Sequence, residues 1–369
     1  MLDVVLGGKV LFNYYEIMRI IKRQIICVVG EQFVAYHKGS LFVSSNLKRF
    51  TKICDIPLSV KQRLFASFSL SARLFRLYPR AVCVLDKESF IFGFSGRIFN
   101  VNIFQKTINV EHVFPAPMKT PLSFTKIKGV NGFDDCIVYG EYHANPAKRD
   151  MGVYARKHGV WERVCSFRAD QILHIHGFCV DKNNDRVLIL TGDTDKESGM
   201  YEAKNNFLDI KPLVSGNQKY RSCVAFADGD SIIYATDTPL ESNAIFRLNN
   251  NGSIDKLYDM PGPSIFGTIV EQNGKTQFVF STSVEPDSRI KGRKYWITNK
   301  LGQGVKERYS HIIVGNSQDG FKTIMRLKKD RLPMTLFQFG NASFTEGESD
   351  HLFILPQSIS GFNDKTIIF

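Results

Sequence analysis

The sequence contains no Cys-x-x-Cys pair. Its seven cysteines, Cys27, Cys54, Cys83, Cys136, Cys165, Cys179 and Cys223, are odd in number and scattered, which argues against a zinc ribbon. Several stand inside apolar runs, as in Asp135-Cys136-Ile137-Val138, where cysteine serves as a small buried hydrophobe. That usage fits a reducing compartment. The segment Met1 to Gly8 lacks a basic n-region and a clear cleavage site, so it does not read as a secretory leader. No apolar run reaches the roughly 18 residues of a membrane span, and the longest are cut by charge, as at Ile20-Ile21-Lys22-Arg23. A soluble cytoplasmic protein is expected. P-loops, a G-x-G-x-x-G after a strand and the G-x-S-x-G elbow are also missing, which removes the nucleotide and hydrolase classes that depend on them. Acidic residues are the minority, 36 against 48 Lys and Arg, for a formal charge of +12. A basic surface gathers anions. No basic tract with interleaved aromatics stands out as it would in a nucleic-acid binder. The candidate partners are nucleic acid, anionic membrane and an acidic oligosaccharide or polysaccharide, with a purely solubilising charge as the plain alternative; of these we expect the glycan, with no nucleic acid and no membrane span.

What is present in quantity is strand-forming material. Of 369 residues 43% are apolar, with 30 Phe and 13 Tyr, and aromatic and β-branched residues favour strands. Only Ser59 to Tyr78 reads as helix, with Leu64, Phe65, Phe68, Leu74 and Phe75 near helical spacing and Pro79 closing it. Elsewhere short apolar runs alternate with Gly, Asn and Asp, the pattern of antiparallel strands. These runs repeat. Segments starting at Gly152, Gly199, Ala244 and His311 each show an apolar-aromatic strand, a polar turn and a second apolar strand. The spacing is 47 residues from Tyr154 to Tyr201 and 45 from Tyr201 to Phe246, which fits four-stranded propeller blades. Units fall near 80–114, 122–167, 173–214, 221–260 and 264–328, with a first unit from near Gln32 and a short last one over about 335–369. The fold class is therefore all-β: a single β-propeller of about seven blades over 1–369, with one helical insertion near 59–78. The last strands are expected to close the ring with N-terminal ones, removing free sheet edges.

This topology brings two sets of residues to one mouth of the central channel. Glu141, His143, Asp193, Asp195, Asp237, Glu241 and Asn243 follow second strands, and His174, His176, Gln218, Tyr220 and Arg221 precede or start first strands. As candidates for catalysis we take Glu141, His174, His176, Asp193, Asp237 and Tyr220. For substrate binding we take His143, Asp195, Gln218, Arg221, Glu241 and Asn243. Plainer roles exist for each: Asp residues cap turns, histidines are satisfied in cores, and Arg221 bridges an Asp. His174 and His176 lie two apart on a strand and so face one side, which makes them the candidate ligands of a divalent metal; the sequence requires no other cofactor. Arg221 is suited to hold a sugar carboxylate by paired hydrogen bonds.

Three sets of residues carry resemblances. Ser317 to Thr323, SQDGFKT, resembles the Asp-box turn S-x-D-x-G-x-T-W of sialidase-like propellers, one residue short and with Ile324 in place of Trp. GEYHANP (140–146), HIHG (174–177), TGDTD (191–195), QKYR (218–221) and ATDTPLESN (235–243) are similar to bacterial BNR-repeat, glycosyl-hydrolase-like propellers associated with surface-polysaccharide loci. Gln171-x-x-His174-x-His176 resembles the manganese site of propeller-type oligogalacturonate lyases. The resemblance implies a carbohydrate-active protein, with two readings of its function. One is a glycoside hydrolase using two carboxylates, or a polysaccharide lyase using a base and a cationic clamp on a uronate. The other is a noncatalytic glycan-binding or scaffold propeller in surface-polysaccharide biosynthesis.

Overall fold

The computed structural model describes residues 2–3, 18–272 and 274–369; most of the segment Met1 to Gly8, read above as no leader, lies outside them. Seven antiparallel sheets follow one another along the chain. We number them as blades 1 to 7, beginning at Gln24, Arg80, Thr125, His174, Ser222, Ser264 and Asn341. In each blade the first strand lies innermost, and inner strands of successive blades contact one another around the channel.

The middle strands are continuous apolar runs rather than alternating ones. Phe90-Ile91-Phe92, Val187 to Leu190, Ile232 to Ala235 and Phe278-Val279-Phe280 are all buried. Successive side chains on a strand point to opposite faces, so a run buried at every position has both faces covered. Here each face is covered by a neighbouring blade. Fourth strands meet solvent on the outside and lose this pattern, as in Val160–Phe167.

Ring closure occurs as the sequence implies. Arg19–Ile21 forms the outer strand of blade 7, pairing Arg19 with Ile368 and Ile21 with Thr366. The Thr366 hydroxyl fastens the seam, accepting from the Ile25 amide at 2.8 Å and donating to the Arg23 carbonyl at 2.8 Å. Leu2–Asp3 adds a fifth strand to blade 6, opposite Leu327 and Arg326. The first unit begins at Gln24 rather than Gln32, and the last strands at Asn341 rather than 335.

The helical insertion is two short helices, not one: α1 (Val60–Ala66) and α2 (Ser69–Leu74). Ser59 and Gln62 form a capping box at the start of α1. Serines then interrupt the run. Ser67 Oγ donates to the Arg63 carbonyl at 2.9 Å and Ser71 Oγ to that of Phe65 at 2.6 Å, offering the main chain alternatives to helical bonding. Two further short helices, α3 (Arg293–Ile297) and α4 (Met334–Phe337), lie in the long loop of blade 6 and in the connection from blade 6 to blade 7. α2 contacts α4, and α4 contacts α3. Arg73 reaches from α2 to the Phe337 carbonyl at 2.7 Å and pairs with Asp330 at 2.7 Å. Thr335 Oγ1 donates to the Tyr295 carbonyl at 3.0 Å. Three distant segments thus form one cap beside the channel mouth.

All seven cysteines are free. Among the described residues no helix is long and apolar enough to cross a membrane. The hairpin 317–323 joins the third and fourth strands of blade 6, where Asp319 meets the side chains of Asn316 at 3.0 Å and Lys275 at 2.9 Å.

Candidate functional site

Five of the seven inner strands carry a bulge at the same place, and the extra residues are Ile26, Ala81, His176, Cys223 and Ile265. A bulge re-aims the side chain of the inserted residue. Four of these, Ile26, Ala81, Cys223 and Ile265, line cavities of the channel. In blades 4 and 5 the inserted residues are chemically active, His176 and Cys223.

His174 and His176 face each other with their Nε2 atoms 3.1 Å apart. The Asp193 carboxylate completes a triangle, 3.3 Å from His174 Nε2 and 3.2 Å from His176 Nε2. The outer ring nitrogens decide the protonation. His174 Nδ1 lies 3.3 Å from the His143 carbonyl oxygen and His176 Nδ1 lies 3.1 Å from that of Ser222. A carbonyl only accepts, so each Nδ1 carries the proton. In the neutral rings both Nε2 lone pairs then point at each other and at a carboxylate. Three acceptors converging in this way require positive charge between them, as a proton or as a cation. The donor set of two imidazoles and one carboxylate fits a divalent metal, and the three ligand atoms lie within 4.8 Å of one another.

Gly192 makes the approach feasible. A Cβ there would sit 2.4 Å from His176 Cε1. Asp193 is held through its main chain: its carbonyl accepts from Gln218 Nε2 at 3.0 Å and from Arg221 Nη1 at 2.9 Å. Its carboxylate meets Arg221 Nη2 at 2.8 Å and, at 41% exposure, is the open member of the triangle. Desolvation favours its neutral form, but the two imidazoles and the Arg221 guanidinium together outweigh this and hold its carboxyl well below the usual range.

Behind the triangle the order reverses. Burial pushes Asp237 upward despite the Arg221 guanidinium 3.5 Å away. Burial and the Asp237 carboxylate push Glu285 up to about 8. Cys223 donates to Asp237 at 3.2 Å, and burial followed by that carboxylate raises its thiol well above the ordinary value. Tyr142, whose ring lies 4.6 Å from that of His174, is likewise held protonated by burial and then by the Asp193 carboxylate. Environments that drive neighbouring acids apart in this way are a mark of functional sites. The mouth opens as a cavity of about 870 Å³ lined by Tyr142, Asp193, Asp195, Arg221, Cys223, Asp237, Glu285 and Tyr295, among others.

Of the residues chosen from sequence, His174, His176, Asp193, Arg221 and Asp237 assemble as expected. Asp195 is exposed on the cavity rim, and Gln218 positions Asp193. The others fall elsewhere. Glu141 is turned away, accepting from the Gly152 amide at 2.5 Å and facing Arg163 at 3.5 Å; its neighbour Tyr142 takes the channel position. His143 contributes its carbonyl, while its ring turns to the Ala144 carbonyl at 3.0 Å. Tyr220 ends a 3-10 turn, outside the cavity lining, and Glu241 is exposed. Gln171 closes its own turn by accepting from the Arg168 amide at 2.6 Å, so it is no partner of the histidines. Asn243 is spent on main chain: Oδ1 accepts from the Thr238 amide at 3.0 Å, and Nδ2 donates to Thr238 at 2.7 Å and Gly304 at 3.1 Å. Asn243→Ala is therefore expected to destabilise the fold by about 3 kcal/mol, because it strands several buried groups at once; chemical denaturation measures this, and a loss near zero would show that water replaces the side chain.

Sequence reasoning missed Tyr142, Cys223, Glu285 and Tyr295. Glu285 had a signal. It stands three residues past the second strand of blade 6, as Asp195 stands three past that of blade 4, so extending that loop position to blade 6 finds it.

No family model matches the chain, and no curated protein matches it. Among solved structures it is similar to the WD40 β-propeller domain of Doa1, with TM-score 0.55 and 11% identity over 94% of this chain and 91% of that one. It is similar to an oligogalacturonate lyase in complex with manganese, with TM-score 0.54 and 9% identity over 100% and 96%. It is also similar to an oligogalacturonate lyase from Vibrio parahaemolyticus, with TM-score 0.51 and 8% identity over 100% and 96%. At such identities the likeness is one of fold: the chain is a seven-bladed β-propeller of four-stranded antiparallel sheets.

Proposed function

We propose that the protein is a carbohydrate-active enzyme that cleaves an acidic glycan at the channel mouth by elimination. The observation that carries this reading is the triangle of His174, His176 and Asp193 beside Arg221, at an open cavity. The three residues would hold a divalent cation, which when bound supplies charge to a sugar carboxylate and acidifies the adjacent carbon. Arg221 adds a second positive pole; burial opposes its charge, but Asp237 and Asp193 keep it protonated more firmly than an ordinary arginine. Asp237, which lines the cavity and meets Arg221 and Cys223 through Oδ2, would take the proton lost from that acidified carbon on Oδ1, while Tyr142 or Glu285, both held protonated, would donate one to the leaving oxygen.

Elimination is favoured over hydrolysis by the state of the carboxylates. Hydrolysis needs one ionised and one protonated carboxyl flanking the bond. Asp193, the ionised carboxylate at the open mouth, is committed to two imidazoles and Arg221, so it is not free to flank a glycosidic bond opposite the protonated Glu285. The oligogalacturonate lyases that share the fold lend support as carbohydrate-active propellers, as does the net charge of +12. Seven free thiols agree with a reducing compartment, and we place the protein in the cytoplasm.

Incubation with uronate-containing oligosaccharides and Mn²⁺, read by mass spectrometry and ultraviolet absorbance, tests the reading. The expected products gain no water and carry a conjugated double bond, and chelator abolishes their formation. Products that gain water would replace elimination by hydrolysis. Binding without any product would make the mouth a noncatalytic glycan site, as in a scaffold for surface-polysaccharide biosynthesis.

A further inference from the structure

The cap inverts the expected amphipathicity of its helices. α1 and α2 turn Ala66, Ala72 and Arg73 inward and leave large apolar side chains outside: Phe68 is 62% exposed, Leu70 52% and Phe75 50%. Across α4, α3 does the same with Trp296 at 51% and with Ile297. Clustered exposed apolar side chains of this size mark an interaction surface.

The charge around them has one sign. Residues 59–78 contain four Lys or Arg and no Asp or Glu, and residues 288–300 contain five and none. The acids in contact with these segments are already neutralised: Asp55 by Lys52 at 2.7 Å, Asp330 by Arg73 at 2.7 Å, and Asp287 by Arg289 at 2.7 Å and Lys300 at 3.3 Å. Lys61, Lys291, Arg293 and Lys294 form no ion pair among the described residues, and all four are exposed. A protein partner is a poor fit, since protein interfaces are depleted of Lys and of charge at their core. Protruding Trp, Phe and Leu set among lysines and arginines are the composition of a surface that enters the headgroup layer of an anionic bilayer.

We propose that the cap docks the propeller onto an anionic membrane surface, with Phe68, Leu70, Phe75 and Trp296 entering the interface and Lys61, Lys291, Arg293 and Lys294 meeting acidic headgroups. Tyr295 and Lys291 also line the mouth cavity, so the docked protein turns its mouth toward the bilayer. This inference is independent of the chemistry of the mouth; a membrane-bound protein without activity leaves it standing.

The protein carries its own reporter. Of its two tryptophans, Trp161 is buried with Nε1 donating to Glu111 at 2.8 Å, and Trp296 is exposed. The full chain is mixed with vesicles of phosphatidylcholine containing about one-third phosphatidylglycerol, and sedimentation and tryptophan emission are followed. The expected result is co-sedimentation with a blue shift, both weakened by added salt and both absent with pure phosphatidylcholine. Phe68→Ser with Leu70→Ser is expected to weaken partition by at least about tenfold, and Lys61→Glu or Lys294→Glu each by about fivefold or more. Trp296→Phe should keep the sedimentation and lose the shift. These side chains are exposed, so the variants fold, and Leu208→Ser on an outer hairpin serves as the unaffected control. The proposal is overturned by any of three results: no sedimentation with anionic vesicles, equal sedimentation with neutral ones, or sedimentation that the cap variants do not change. Shielding of Trp296 without lipid, with a doubled mass in light scattering, would assign the face to a second copy of the chain instead.

Discussion

Replacing Asp193 with asparagine is expected to lower turnover of the glycan substrate by about 10³-fold and to weaken Mn²⁺ binding by at least about a hundredfold. The change removes one negative charge from the triangle and nothing else of similar size. The loop keeps its place because Gln218 and Arg221 hold residue 193 through its carbonyl oxygen, which the variant retains. Structural collapse and loss of a ligand are therefore separable: the variant should keep a cooperative unfolding transition, shifted to lower denaturant by loss of the carboxylate's contact with Arg221, while calorimetric titration with Mn²⁺ shows the loss. His176→Ala should weaken the cation to a similar degree. It also opens a void against Gly192, whose missing Cβ leaves only room for the imidazole, and so carries a packing cost that Asp193→Asn does not. Undiminished Mn²⁺ binding in Asp193→Asn would show that the triangle holds a proton rather than a metal.

The second large effect concerns Glu285 and pH. Its carboxyl is raised from 4.5 to about 8, by burial first and by Asp237 second, with Asp193 adding and Arg221 opposing. The folded state therefore binds a proton that the unfolded chain releases at lower pH. The sign follows: this contribution is fully present below pH 4.5 and is lost as pH rises to about 8. Wild-type stability should fall across that window by on the order of 4 kcal/mol. Glu285→Gln keeps the shape and cannot ionise, so its unfolding profile should be flatter there, making it the more stable protein at pH 9 and its equal at pH 4. The same variant should lose about 10²-fold in turnover if Glu285 supplies a proton to the leaving oxygen. Thermal unfolding of both proteins across the range measures the first effect, and parallel curves would show that Glu285 is hydrated and titrates normally.

The blades were legible because burial on both faces writes itself into the sequence. Runs such as Val187 to Leu190 have no polar position to spare, and their recurrence gives the period. Ring closure was legible for a related reason, since an open ring leaves two sheet edges. The site was legible only in part. The bulges at His176 and Cys223 break the two-residue alternation locally, so Cys223 read as core filling although it faces Asp237. The choice of Glu141 over Tyr142 failed by one position, which on a strand is the difference between two faces. Gln218 and Asn243 show a different limit. A polar side chain near a mouth binds either a ligand or the neighbouring main chain, and the sequence does not say which. The helical insertion marked its apolar residues correctly but not the direction they face, since Ala66, Ala72 and Arg73 occupy the inside.

The seam at Thr366 also has a consequence for how the molecule is made. Arg19–Ile21 waits for partners about 350 residues downstream, and Leu2–Asp3 for partners about 325 downstream, while the remaining strands of each sheet pair with near neighbours along the chain. On a ribosome, six blades have their own strands to hand before the seventh exists. The nascent arc must keep its first and last sheets from sticking to other chains during that time. Arg19, Lys22 and Arg23, beside the waiting strand, act as gatekeepers against such pairing. Because contacts this distant close slowly, the seam is the step at which expression of this propeller is most exposed to aggregation.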